Sequence, residues 1–387
     1  MAQAYTPGLK RKELCIVRKT RSLPLKGEIL VKVGDRVSSD IVVARTSVPG
    51  NPVFINVAMV LQLDEPVGLD SRSVYPIKKM MLKQEGEQVE KGECLAVHKY
   101  FFGLGKTVCL APSTAIVERI SELSGQVILR EPPTPVEVKA YIPSIVTDVT
   151  PNEAVILETP ATFIQGILGI GGETWGELMV SVKSADEVLT AEKIGSEMAG
   201  KILVGGALVD YNALKKAVEV GVKGIVTGGM NQEDLTRFMG YELGVAITGH
   251  EEVGLTLIIM EGFGRIRMAE KTFALLKERE GMLTCINGAT QIRAGVMRPE
   301  IIIPRHDLDP SDELIPDDAS AYSEGMIAGT PIRVIRDPNF GALGKVISLP
   351  VELQRLETGS MARVLEAELD DGRHVMIPRA NVEIVEE

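Results

Sequence analysis

A chain of 387 residues with 45% hydrophobic and 25% charged side chains has room for about two to four globular domains, which excludes a disordered or fibrous protein. Its 53 acidic against 42 basic side chains leave a net charge of −11, which argues against nucleic acid as the main partner, because grip on phosphates needs clustered Lys and Arg. The sequence has no apolar run of the roughly 18 residues that a membrane span needs and no signal-peptide core near its start, so the expectation is a cytoplasmic protein without membrane insertion.

Residues 1–26 read as a basic N-terminal arm, with Lys10, Arg11, Lys12, Arg18, Lys19, Arg21 and Lys26 against the single acid Glu13. The plain expectation is a solvated arm; the functional one is an arm that docks an acidic partner.

Residues 27–182 read as an all-β region with an internal repeat. GDRVSSDIVVA (34–44) aligns without a gap on GEQVEKGECLA (86–96), and IVERISELSGQVIL (116–129) is similar to IVTDVTPNEAVIL (145–157) with one residue fewer. Each copy reads as a glycine or acidic turn, a polar crossing and an apolar strand. The four cysteines, Cys15, Cys94, Cys109 and Cys285, form no C-x-x-C pair. Cys94, His98 and Cys109 are metal-binding types, but small buried cysteines are the expectation and no metal site is assigned.

The phrase EGEQVEKGECLAV, followed by APSTAIVERISELSGQVI, resembles the two halves of a biotinyl/lipoyl-type barrel-sandwich hybrid over roughly residues 76–130, with a partial earlier copy at 27–61. Carrier domains of that family attach the prosthetic group to a lysine in the hairpin between the halves. Lys99 and Lys106 lie in the matching stretch, HKYFFGLGKTV, but without Met-Lys-Met or Asp-Lys neighbours. The expectation is therefore an unmodified barrel carrying neither lipoate nor biotin, and no cofactor is named.

FIQGILGIGGETWGEL (163–178) is glycine-rich enough to suggest a phosphate loop. A dinucleotide fingerprint needs a third glycine where Thr174 stands and a helix straight afterwards. The expectation is instead close backbone packing where the β region ends, with Trp175 as a packing anchor.

Residues 191–304 alternate short apolar strands (KILVGG, GIVTGG, VAITGHEE, LTLIIMEGFG, MLTCING, EIIIP) with amphipathic segments, the pattern of a Rossmann-like α/β domain with an open, mostly parallel sheet. In such sheets ligands bind beyond the carboxyl ends of the strands, at a topological switch point. The candidate ligand-binding residues there are Gly205, Gly206, Gly228, Gly229, Asn231, Asn287 and Gly288; the glycines leave room for amides to approach an anion, and Asn231 is placed to cap a helix. Weak catalytic candidates are His250, Glu251, Glu252 and Glu261, which could move a proton or hold a divalent cation.

Residues 305–325 carry seven acids and two prolines around Arg305 and read as an acidic linker. In residues 326–387, GTPIRVIRDPNFGALGKVISLP through HVMIPRANVEIVE resembles a KOW module, a small β-barrel of ribosomal proteins and transcription elongation factors. Seven basic against ten acidic residues in this copy favour protein contact over RNA.

The chain thus reads as a multidomain α/β plus β protein. The functional expectation is a non-catalytic scaffold or assembly subunit that contacts proteins, and self-assembles, through its β modules, with a small anionic ligand or nucleotide on the α/β domain. The alternatives are an enzyme or redox-complex component binding a nucleotide or acidic metabolite, and a transcription- or translation-associated factor.

Overall fold

Apolar and polar residues alternate through much of the first half, and short apolar runs bounded by glycine fill the second, so strands recur through the described parts of both halves. In the computed structural model the described residues are 9–63, 74–100, 105–241, 253–290, 297–305, 326–334, 338–339, 342–356, 359 and 361–386. Among them the protein is mostly β, in several sheets of which none closes. No described helix is long and apolar enough to cross a membrane.

The basic stretch expected as a solvated arm is instead a 14-residue strand, Leu9–Ser22. It pairs antiparallel with Ala154–Gln165, from Arg11 opposite Ile164 to Ser22 opposite Ala154, across a bulge between Lys12 and Cys15. The physical reason is that Cys15, Ile16 and Val17 are buried, while the flanking cations meet acids of neighbouring strands. Arg18 pairs with Glu158, Lys19 with Glu300, and Arg21 holds Glu173 with two bonds of 2.6 and 2.7 Å. Arg18 is two-thirds exposed, so its pair contributes about 0–1 kcal/mol. Burial of the apolar triplet is the larger effect, at about 1.5–3 kcal/mol for a fully buried aliphatic side chain.

The repeats of the first half are nested. Strands Glu28–Ile29, Arg36–Val37 and Val42–Val48 pair with one another or with Thr134–Lys139 and Ser144–Thr150. Between those halves, Pro52–Asn56, Gln88–Val89, Ala115–Ser121 and Gln126–Arg130 form their own four-stranded sheet. One unit is thus inserted into another, and each has its own apolar core, around Val43 and Val146 in the outer unit and Val89 and Val117 in the inner.

Matching backbone bonds define the two copies. Gly34 N–H donates to Val146 O at 2.8 Å and Gly86 N–H to Val117 O at 2.7 Å; Val146 N–H returns a bond to Asp35 O, and Val117 N–H to Glu87 O, both at 2.9 Å. In each turn the acid after the glycine accepts from the backbone three residues earlier, Asp35 from Lys32 and Glu87 from Gln84. Both glycines sit in the left-handed region, with φ of +92° and +91°.

The central part contains four strands in parallel, Glu173–Val180, Ile202–Val204, Gly224–Met230 and Thr256–Phe263. The sheet is not mostly parallel beyond them: Leu283–Asn287, Glu300–Pro304 and Ala154–Gln165 continue it antiparallel. VAITGHEE lies outside the described residues except in name of sequence, as does the linker beyond Arg305. The helices Tyr211–Val220, Gln232–Met239 and Glu270–Glu278 fall on the expected amphipathic segments. Asp210 caps the first of them through Ala213 N–H, and Gly221 ends it at φ +86°.

Trp175 is partly buried and packs where the N-terminal strand, the outer β unit and the central sheet meet, against a cluster that includes Cys15, Tyr141 and Cys285. Among the described C-terminal residues five strands share one sheet, Pro331–Val334, Leu343–Ser348, Val364–Leu369, His374–Pro378 and Val382–Glu386, beside a separate pair, Gln354–Arg355 with Met361–Ala362; the five join the rest where Leu9 and Lys10 pair in parallel with Val385 and Glu386. Of the DPNFG stretch only Pro338 and Asn339 are described.

A Cβ at Gly34 or Gly86 would meet nothing within 4 Å, so substitution there costs backbone strain alone. Gly86→Ala is expected to lower stability by about 1–2 kcal/mol and Gly86→Asn by less, with the same ranking at Gly34, in urea unfolding followed by circular dichroism.

Candidate functional site

Among the described strands the four parallel ones follow one another in space in their chain order, so no switch point falls between them. Their carboxyl ends are covered by the chain itself. Gly205 N–H donates to Val226 O and Gly228 N–H to Gly206 O, each at 2.7 Å. A Cβ at Gly206 would lie 2.2 Å from Glu187 O, at Gly228 2.3 Å from Ile266 O, and at Gly229 2.0 Å from Gly264 O. Crossing backbone therefore fills the space beside Gly206, Gly228 and Gly229, whereas a Cβ at Gly205 would sit at an ordinary 3.4 Å from Leu189.

Asn231 precedes the helix Gln232–Met239, but its side chain makes no capping bond; only its carbonyl accepts, from Leu235 N–H at 3.0 Å. Asn287 turns its side-chain oxygen back to Ala289 N–H at 2.9 Å. Gly288 packs 2.4–2.5 Å, measured from a built Cβ, against the carbonyls of Gly171 and Ile170, and Gly169 N–H donates to Thr290 Oγ1 at 2.8 Å. Two glycine turns interlock here, as close packing in FIQGILGIGG requires. His250, Glu251 and Glu252 lie outside the described residues.

Cys109 is buried, and burial pushes its thiol up; His98 Nδ1 is 3.1 Å from Leu61 O. Among the described residues no three metal-ligating side chains gather. Lys99 and Lys106 face one another across a hairpin and are exposed. Burial drives the Cys285 thiol up to about 12, partly offset by Ser39, so it stays protonated near neutral pH and is a poor nucleophile.

Glu261 is 4% exposed and is neither a rim acid nor an open metal ligand. It pairs with Arg333 of the C-terminal strands, and its other oxygen accepts from Ala269 N–H at 2.9 Å. Ala269 starts the helix Glu270–Glu278 and has no side chain able to cap it, so a carboxylate from the neighbouring strand takes that role and also meets the positive end of the helix dipole. Arg333 further donates through Nε to Glu383 at 2.6 Å and through Nη1 to Met260 O at 3.2 Å. Arg298 approaches Glu383 at 3.6 Å, and burial pulls its guanidinium below the usual range. Two cations and two carboxylates thus form a neutral, buried lock between the central sheet and the C-terminal strands.

Beside this lock is a cavity of about 60 Å³. One wall is the start of the N-terminal strand, with Lys10 and Arg11; a second is the first turn of the helix Glu270–Glu278, with Lys271 and Thr272; the third is the C-terminal strands, with Lys345 and Arg333. Glu261 and Asp370 are the lining carboxylates, and Ile164, Met260 and Leu343 add apolar surface. An open groove of about 750 Å³ adjoins it along residues 11–15 and the exposed side of the same helix, sharing Arg11 and Lys271.

Sequence reasoning counted Lys10 and Arg11 only as an arm and gave Lys271, Arg333 and Lys345 no role. The charge alternation of KRK at 10–12 was the available signal, but what it faces depends on strand pairings up to about 375 residues apart along the chain. Compared with known proteins, the sequence matches no protein-family model and no curated protein at a significant level.

Removing Arg333 takes from the buried Glu261 its paired cation and leaves Glu383 to the more distant Arg298. Arg333→Met is expected to cost about 3–5 kcal/mol in chemical denaturation and to expose the C-terminal strands to limited proteolysis before the rest of the chain. The triple change Arg333→Met, Glu261→Gln, Glu383→Gln should recover part of that loss; no recovery would mean that packing, not charge, sets the cost.

Proposed function

We propose that the chain is a non-catalytic cytoplasmic scaffold or assembly subunit that contacts protein partners through its β units and holds a small anionic ligand beside its central sheet. The observation that carries this reading is the placement of exposed large apolar side chains at two separate β units. On the inserted unit, Met59 is 77% and Leu123 73% exposed, and the Ala58 N–H to Gly125 O bond of 3.0 Å keeps the two near one end. On the C-terminal unit, Val351 is 84% exposed, with Leu353 and Met361 at more than half. Single exposed apolar residues are ordinary, but grouped ones rimmed by polar chain suit protein contact.

The nested copies with matched turns support a pair of barrel-sandwich units of the biotinyl/lipoyl type. The five C-terminal strands support a KOW-like barrel, and the strand-helix series supports a Rossmann-like character limited to the four parallel strands. The first two modules are used widely as contact devices, which agrees with the scaffold reading; fold alone would not carry it.

The test is purification of the full chain under native conditions, with cross-linking and mass determination in solution. The wild type should recover a stoichiometric partner or a second copy of itself, and Met59→Glu with Leu123→Glu, or Val351→Glu with Met361→Glu, should weaken recovery by about ten-fold or more, about 1.4 kcal/mol, without changing the thermal midpoint. A wild-type chain that stays monomeric and alone, or recovery equal in all variants, would overturn the reading.

A further inference from the structure

The outer β unit, together with the unit inserted into it, reaches the central sheet along one strand pair. Ala154–Gln165 is flanked by Ser144–Thr150 as far as Glu158 and by Glu300–Pro304 from Ala161 onward. Between these stretches lie Thr159 and Pro160, which pair with Val17 and Ile16 on one side. On the other side the described backbone bond runs from Arg305 N–H to Pro160 O, at 2.8 Å. Proline has no N–H to give to a ladder, so the sheet narrows to two strands at this point. A two-stranded neck between two separately cored bodies is where they can turn against one another.

Away from the neck the same two bodies are closed on each other by side chains. Trp175 and Cys285 stand opposite one another on neighbouring central strands and so share a face. Over that face the outer unit lays Ser39, whose hydroxyl is 3.6 Å from the Cys285 sulfur, and Lys139, whose ammonium is 5.8 Å from the centre of the Trp175 ring. Arg21 clamps Glu173 with two bonds and gives its Nε to Lys139 O at 2.7 Å, and Lys19 pairs with Glu300. Arg21 and Lys19 lie on the part of their strand that pairs inside the outer unit, opposite Val155 and Leu157, whereas Glu173 and Glu300 belong to the central sheet. Each ion pair therefore spans the closure.

Tyr141 is at the middle of this closure, in an unfavourable state. It is fully buried in the cluster with Cys15 and Cys285, and the Arg21 guanidinium is 5.7 Å from its ring centre. Its hydroxyl has no hydrogen-bond partner among the described residues. Its φ is +71°, in the left-handed region that a bulky side chain avoids. That backbone carries the chain from the outer unit's own core, where Ala140 packs, to the junction, where Tyr141 and Ile142 pack. Opened to water the hydroxyl would be hydrogen-bonded; closed it is not, so the closed arrangement holds a penalty that ring burial and the two ion pairs must offset.

We propose that the outer β unit and its insertion form a lobe that opens and closes on the central sheet about Thr159–Pro160, with Tyr141 as the plug of a latch and the Arg21–Glu173 and Lys19–Glu300 pairs as its clasps. Opening uncovers Cys285 and moves the end of the inserted unit that exposes Met59 and Leu123, while the C-terminal strands stay with the central sheet through the Arg333 lock. The motion goes beyond the contact reading above and holds whether or not that surface meets a partner.

The experiment alkylates the full chain with iodoacetamide at graded low urea and follows Cys285 by peptide mass mapping, beside global unfolding by circular dichroism. Opening of the lobe exposes far less surface than unfolding, so alkylation of Cys285 should depend on urea much less steeply than global unfolding does. Arg21→Met and Glu173→Gln should each speed it by about ten-fold. Tyr141→Phe keeps the ring and removes the unpartnered hydroxyl, and should slow it by about five-fold. Arg45→Met, which breaks a pair with Glu28 inside the outer unit, should leave it unchanged. The wild-type urea dependence decides the matter even if a variant does not fold. Equal urea dependence for Cys285 alkylation and global unfolding overturns the proposal, as does a Tyr141→Phe chain in which Cys285 reacts as fast as in Arg21→Met.

Discussion

The ladder between Leu9–Ser22 and Ala154–Gln165 is the constraint on which the rest of the structure depends. The longer partner has two environments along its length. Ala154–Leu157 alternates between partly and fully buried and pairs on its other side with Ser144–Thr150, inside the outer β unit. From Thr159 to Ile164 burial is continuous, and the other side pairs with Glu300–Pro304 of the central sheet. Alternating burial means one covered face and continuous burial means two, so a single strand carries the change from a half-covered sheet to a fully covered one. The N-terminal strand crosses both zones and then offers its free edge at Leu9 and Lys10 to the C-terminal strand Val382–Glu386. Three separately cored regions are thus held in one strand path.

The nested repeat explains how two similar units coexist without competing for each other's strands. Each copy needs its turn glycine, its short crossing and a returning hairpin, and the matching bonds at Gly34 and Gly86 are the same local solution used twice. Exchange of halves between copies is opposed by the connections: three residues separate Val48 from Pro52 and three separate Arg130 from Thr134, so the inserted sheet is completed before the outer unit resumes. Such short links make local pairing entropically cheaper than pairing across the insertion. Insertion at a loop whose ends are close is also the site where added chain costs least.

Much of this was legible in the sequence where local chemistry decides the outcome. The repeats, the helix capped by Asp210, and the close packing of FIQGILGIGG follow from spacing and turn residues. The N-terminal strand was not legible, because a run such as LKRKELCIVRKTRS looks solvated until Glu158, Glu173 and Glu300 are known to stand opposite its cations. The glycine pairs were ambiguous for a related reason. A glycine that admits a phosphate and one that admits a crossing backbone have the same local sequence, and only the position of Glu187, Gly264 and Ile266 tells them apart at Gly206, Gly229 and Gly228. Glu261 read as a reactive rim acid because its partner, Arg333, lies 72 residues further along the chain.

The lock and the cavity form one electrostatic unit. Among the described residues the C-terminal strands join the rest by two residue pairs of β-ladder, Leu9 with Val385 and Lys10 with Glu386, so backbone bonding there is a thin attachment. The buried pairs of Arg333 add specificity of position more than net stability, since taking the charges from water offsets much of their attraction. What that geometry does secure is the cavity wall, where Arg333 and Glu261 satisfy one another. An attachment thin in backbone bonds along the described strands is thus fixed in position by the buried pairs of Arg333 with Glu261 and Glu383, so any change that breaks those pairs loosens two parts of the protein from one another at once.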